Sequence, residues 1–151
     1  MLLNVRRLLR WTAASLAVIN LAYAQAPSPV GLWETVSDKL GKPDGRVRIV
    51  EVDGELRGTV VQVYSPPNEK PDPVCEKCVG ALKDRPVVGM AILTGVLRTP
   101  AGYSDGEILD PNNGKTYRCR ITLEEGGRKL AVRGYLGISL FGRTQAWTRL
   151  E

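Results

Sequence analysis

Between residues 30 and 150, apolar side chains recur at every second position in short runs, and no stretch sustains the 3.6-residue period of an amphipathic helix. The clearest run is residues 115–123, where Tyr117, Cys119, Ile121 and Leu123 alternate with Arg118, Arg120 and Thr122. That spacing predicts a half-buried strand. Similar patterns predict strands over 30–37, 46–52, 55–64, 87–97, 103–109, 129–136 and 144–150. Dense turn signals separate several of them: Asp53-Gly54, Thr99-Pro100-Ala101-Gly102, Asp110-Pro111-Asn112-Asn113-Gly114 and Glu124-Glu125-Gly126-Gly127. In the third strand, Val60, Val61 and Val63 leave neither face polar, so its inward side is not readable. Eight strands joined by short turns predict an all-β, single-domain, antiparallel up-and-down barrel, with a two-sheet sandwich as the alternative.

The stretch 134–149 is apolar, aromatic and punctuated by glycine, and is expected to be buried. Its natural partner is Val30-Gly31-Leu32-Trp33. If the first and last strands pair, the sheet closes and no edge is left exposed. Gly31, Trp33, Trp147 and Arg149 are the candidate closure residues. Tyr117, Tyr135 and Phe141 are the candidates for lining a ligand cavity, although the same aromatic run could instead plug the barrel.

Residues 65–85 interrupt the strand pattern with four prolines, charges of both signs and Cys75-Glu76-Lys77-Cys78. A connection of that length is usually functional or specially fastened. Three readings of Cys75 and Cys78 stay open: a disulfide stiffening the loop tip, a redox couple, or half of a metal site. The disulfide is the expectation, because no helix start is at hand to lower a thiol pKa and a metal would need two further ligands. Cys119 falls on the apolar side of its strand and reads as an inert buried thiol.

The first ten residues carry Arg6, Arg7 and Arg10, an apolar run follows over 11–22, and Ala22-Tyr23-Ala24 then has the spacing of a cleavage site. This predicts a signal peptide over 1–24, cut after Ala24 or Ala26, ahead of one barrel domain over 25–151. The run is too short to span a membrane as a helix. A periplasmic or secreted location follows, by either the general or the twin-arginine route. Removing 3 of the 21 basic residues leaves 18 against 16 acids, a net charge of +2 with no basic tract, so nucleic acid is not an expected partner. Histidine is absent, which removes the usual neutral-pH general base and imidazole metal sites. Asp105 and Glu107 share a strand face, as paired carboxylates must, but read better as a solvated face. The Asp110–Gly114 turn misses the calcium-loop pattern, because its glycine comes one place early and position twelve is Ile121.

Gly31-Leu32-Trp33 near the start and Trp147-Thr148-Arg149 near the end resemble the lipocalin and fatty-acid-binding (calycin) arrangement, in which an Arg from the last strand lies across the Trp. A longer series of motifs is similar to the exported bacterial DUF2147 family. It comprises Gly31-Leu32-Trp33, Arg85-Pro86-Val87-Val88-Gly89-Met90, Gly106-Glu107-Ile108-Leu109-Asp110-Pro111, Gly114-Lys115-Thr116-Tyr117, Arg133-Gly134-Tyr135-Leu136-Gly137 and Leu140–Arg149. The resemblance implies export and a calycin-like barrel but supplies no catalytic residues. Cys75 and Cys78 depart from many members. The expected function is therefore a non-enzymatic exported binder of a small apolar or amphipathic ligand, without cofactor or metal. The alternatives are a cell-envelope interaction protein that docks through the cysteine loop, and a thiol-redox protein.

Overall fold

The computed structural model describes residues 26–138 and 140–151. The signal-peptide expectation over 1–24 lies outside them. Eight strands run β1 (Gly31–Val36), β2 (Pro43–Val52), β3 (Glu55–Val63), β4 (Ala91–Thr99), β5 (Gly102–Asp110), β6 (Lys115–Glu124), β7 (Lys129–Tyr135) and β8 (Gly142–Arg149). Each pairs antiparallel with the next, and β8 pairs with β1, so the sheet is a closed up-and-down barrel. The sandwich alternative is excluded by that closure.

The turns form where the sequence allows them. Asp53 and Gly54 both sit at positive φ (53° and 80°), as a two-residue hairpin matched to strand twist requires. In the Asp110 turn the carboxylate accepts from the Asn112 amide at 2.9 Å and the Asn113 side chain at 2.9 Å. Strand alternation then selects the interior. Trp33, Val47 and Val60 lie opposite one another across β1, β2 and β3, as do Leu130 and Trp147 across β7 and β8. All are buried, with Ile49, Leu56, Leu93, Val96, Cys119 and Ile121. In β3 the inward series is Leu56, Gly58 and Val60, and Val61 faces out.

The two barrel ends differ. At one end, called here the leader end, the chain arrives through 26–30 and Pro29 is fully buried. At the other, residues 64–90 fold over the opening as a lid. Cys75 and Cys78 are joined by a disulfide. The lid's own backbone closes on itself through Cys75 N–H to Arg85 O (2.8 Å) and Val87 N–H to Pro73 O (2.9 Å). Cys75, Cys78, Val87 and Met90 belong to the main apolar core. Gly114, at φ 71°, presses on this lid: a Cβ there would fall 2.0 Å from the Lys77 carbonyl oxygen.

Two expectations need correction. The fourth strand starts at Ala91 rather than Val87, because Gly89 at φ 89° breaks the extended run and turns 87–90 into the lid's return. The stretch 134–149 is not buried throughout: Leu136, Ile138, Leu140 and Phe141 form an exposed connection between β7 and β8.

A closed end and a polar mouth

At the leader end Trp33 is fully buried and donates its Nε1–H to Pro29 O at 2.7 Å. Its cross-strand partner is Arg149, whose guanidinium carbon lies 4.2 Å from the indole centroid. The same guanidinium donates to Gly127 O (2.6 Å), Val30 O (2.9 Å), Glu151 O (3.0 Å) and Ser28 O. A planar, five-donor cation is the side chain suited to satisfy several carbonyls at once. It stitches the leader, the β6–β7 turn and the end of β8 over the indole. Gly31 enters beside it, at φ 147°. Trp147 lies one inward step along β8, buried against the core, and donates its Nε1–H to Gln145 Oε1 at 2.9 Å.

Counting back along β8 by two from Arg149 gives Trp147, Gln145 and Arg143 on the inward face. Gly134 and Val132 opposite them confirm the register. Arg143 therefore stands at the lid end. Its Nε meets Asp38 Oδ2 at 3.0 Å and its Nη2 meets Asp110 Oδ2 at 2.6 Å. Its guanidinium lies 6.0 Å from the Tyr117 ring centroid. Asn113 Nδ2 donates to both Asp110 Oδ2 and the Tyr117 hydroxyl, each at 2.9 Å. Thr35 donates to Asp44 Oδ1 at 2.6 Å. Burial pushes the Asp44 carboxyl above the usual range; Thr35 opposes this, and the charges of Asp38 and Asp110 add to the rise. Below this polar layer the barrel is filled with apolar side chains.

Among the three proposed cavity residues, Tyr117 reaches this mouth, as a half-buried inward neighbour of Cys119. Tyr135 is buried, but pairs with Arg118 and Gly142, the register that alternates with inward-facing Gly134. Phe141 is 72% exposed. Neither lines the barrel interior. The described cavities lie instead at the leader end. One of about 210 Å³ is bounded by Pro27, Ser28, Glu51, Leu56, Arg98 and Tyr103. A second of about 290 Å³ shares Pro27, Arg98 and Tyr103. Both fall below the roughly 300–1,000 Å³ of ordinary ligand pockets.

The other candidate chemistry resolves simply. Cys119 is fully buried and its thiol is pushed up to about 12 by burial, which leaves it unreactive at neutral pH. Asp105 and Glu107 are exposed on a bulged part of β5. Arg143, Asp38, Asp44 and Gln145 were missed as site residues. Period-two counting from Arg149 would have found Arg143 and Gln145; nothing local marks Asp38 or Asp44.

A family model described as an uncharacterized protein conserved in bacteria (DUF2147) matches residues 31–149. The chain belongs to the DUF2147 family. The match spans the whole barrel, from Gly31 to Arg149, and includes the lid. No curated protein matches this DUF2147 chain in sequence. Among solved structures it is similar to protein HP1028 from the human pathogen Helicobacter pylori, which is described as belonging to the lipocalin family. The TM-score is 0.69 at 20% identity, covering 83% of this chain and 84% of that one. The likeness is one of fold.

Proposed function

We propose that this DUF2147 barrel is a non-enzymatic carrier of a small amphipathic ligand whose polar head sits in the lid-end mouth. The lipocalin-like fold supports a binding role. The observation that carries the reading is the inward-facing polar layer of Tyr117, Arg143, Gln145 and Asp110, with Asp44 bonded to Thr35 beside it, above a filled apolar core. Polar side chains on the inner face of a small barrel oppose burial unless something satisfies them. The Tyr117 hydroxyl accepts from Asn113 and still has its own proton to donate. Gln145 uses its carbonyl oxygen for Trp147, which leaves its NH₂ for a ligand. Two carboxylates, Asp38 and Asp110, pair with the one guanidinium and a third, Asp44, lies near enough to feel both, so the mouth favours a neutral or cationic head over an anionic one. The lid gives the ligand a cover, and its disulfide holds that cover in one shape.

The absence of histidine and the unreactive Cys119 support the non-enzymatic reading. Export to an oxidising compartment is part of the proposal, since a disulfide is kept there. A second reading, an envelope interaction protein docking through the lid, draws on the exposed Val79 (81%) and Leu82 (41%) at the lid surface.

Native mass spectrometry of protein isolated gently from its producing cell tests the first reading. A reproducible extra mass, removed by organic extraction and lost in Arg143→Ala, supports a carrier. A bare chain, together with no displacement of amphiphilic fluorescent probes, refutes it and favours docking through the lid.

A further inference from the structure

The connection between β7 and β8 exposes Leu136 (58%), Ile138 (61%), Leu140 (75%) and Phe141 (72%). Four large apolar side chains this exposed, within six consecutive positions, touch little of their own barrel. Such clusters mark surfaces made for something other than water. Their surroundings define the partner. Arg143, two residues after Phe141, binds Asp38 and Asp110, which draws the β1–β2 loop and the β5–β6 turn to the base of the apolar loop. The guanidinium offsets one of the two carboxylate charges. Against the one that remains stand the exposed Lys39 and Lys42 of the β1–β2 loop and Lys115 at the start of β6, none in an ion pair among the described residues, so this rim is net positive. Leu40, 68% exposed, stands between the first two lysines.

From this we infer that the lid end docks on an anionic lipid surface, with Leu136, Ile138, Leu140 and Phe141 entering the headgroup layer. Apolar side chains supply the insertion, and the lysines supply attraction to acidic headgroups. The short loop with lysines beside its base suits a bilayer, whose interface takes in side chains on every side. A partner protein would instead have to cover them with a shaped groove. This inference rests on exposure and rim charge, and it stands or falls apart from ligand binding in the mouth.

The test is a local probe on the full chain: Ile138→Cys carrying an environment-sensitive dye, with Ala101→Cys, exposed between β4 and β5 at the leader end, as control. Vesicles of phosphatidylglycerol and phosphatidylcholine should shift the dye at Ile138 to the blue and leave the one at Ala101 unchanged. Raising salt should weaken the response. Phe141→Ser or Leu140→Ser should lower the vesicle affinity by about tenfold, and Lys39→Glu with Lys42→Glu should weaken it too. All these positions are exposed, and an unchanged circular dichroism spectrum confirms that the variants fold. The inference is overturned if the dye at Ile138 ignores vesicles, or responds equally to pure phosphatidylcholine and is insensitive to the lysine reversals. It is also overturned if the dye shifts with protein concentration in the absence of vesicles, which would make the occupant a second copy of the chain.

Discussion

Replacing Trp33 with alanine probes the closure most directly. The indole is fully buried, so the substitution returns an area of about 150–250 Å² to consideration. At roughly 25 cal/mol per Å² this is about 4–6 kcal/mol, and a compact unfolded state trims it by about 10–40%. About 3–5 kcal/mol remains, the range seen when large aromatic core residues are truncated. The Pro29 carbonyl also loses its donor and Arg149 loses the ring beneath it. Trp33→Phe separates the contributions: it keeps most of the apolar area and loses the 2.7 Å hydrogen bond, for an expected cost of about 1–3 kcal/mol. Urea unfolding followed by far-ultraviolet circular dichroism measures both, since fluorescence would change with the residue itself. The slope on denaturant should stay constant while the midpoint falls. A loss under about 1 kcal/mol for Trp33→Ala would refute the argument that this indole anchors the barrel end.

Removing the disulfide with Cys75→Ser and Cys78→Ser should cost ~2 kcal/mol, the chain-entropy value for so short a loop. Faster hydrogen exchange should be confined to residues 64–90; exchange rising throughout the barrel would show that the lid is not a separate unit. Cys119 should resist thiol reagents in the native protein and react fully in denaturant, as a titration with a chromogenic disulfide reports. Rapid native labelling at pH 8 would contradict its burial. Asp44 has a raised carboxyl pKa, so its neutral form favours the fold. Its contribution is present at low pH and is lost as pH rises through that raised value. Asp44→Asn keeps an acceptor for Thr35 and should therefore melt above the wild type at pH 7, with no gain below about pH 3. A wild type more stable at pH 7 would reverse the assignment.

Much of the barrel was legible because alternation is a local property. Residues 115–123 show their inward and outward faces directly, and Asp53-Gly54 announces its turn. Trp33 and Arg149 could be matched across the chain because their flanking motifs resemble the calycin arrangement, in which an Arg of the last strand lies across the Trp. The lid was legible only as an interruption. Its prolines and charges conceal that Val87 and Met90 join the core, which depends on a tertiary contact with no period. The polar mouth was illegible for a related reason. Arg143 and Gln145 occupy inward positions that a hydrophobic pattern assigns to apolar residues, Asp38 reaches Arg143 from a loop, and Asp44 meets Thr35 from a bulged strand start. The 136–141 loop misled in the opposite sense, because an apolar run reads as core whether it faces the interior or a surface.

The Arg149 clasp also bears on when the barrel can form. Its guanidinium joins Val30 across 119 positions of chain, and β1 meets β8 in register at Trp33 with Arg149 and Glu34 with Thr148. Until β8 has been made, the free edge of β1 has nothing to pair with, and the inner faces of seven strands have no wall to complete them. A chain that folded before β8 was made would present an open, apolar sheet with unpaired edges, the form most exposed to aggregation. A molecule built this way gains from being kept unfolded until synthesis is over, so that closure happens once, late and all together.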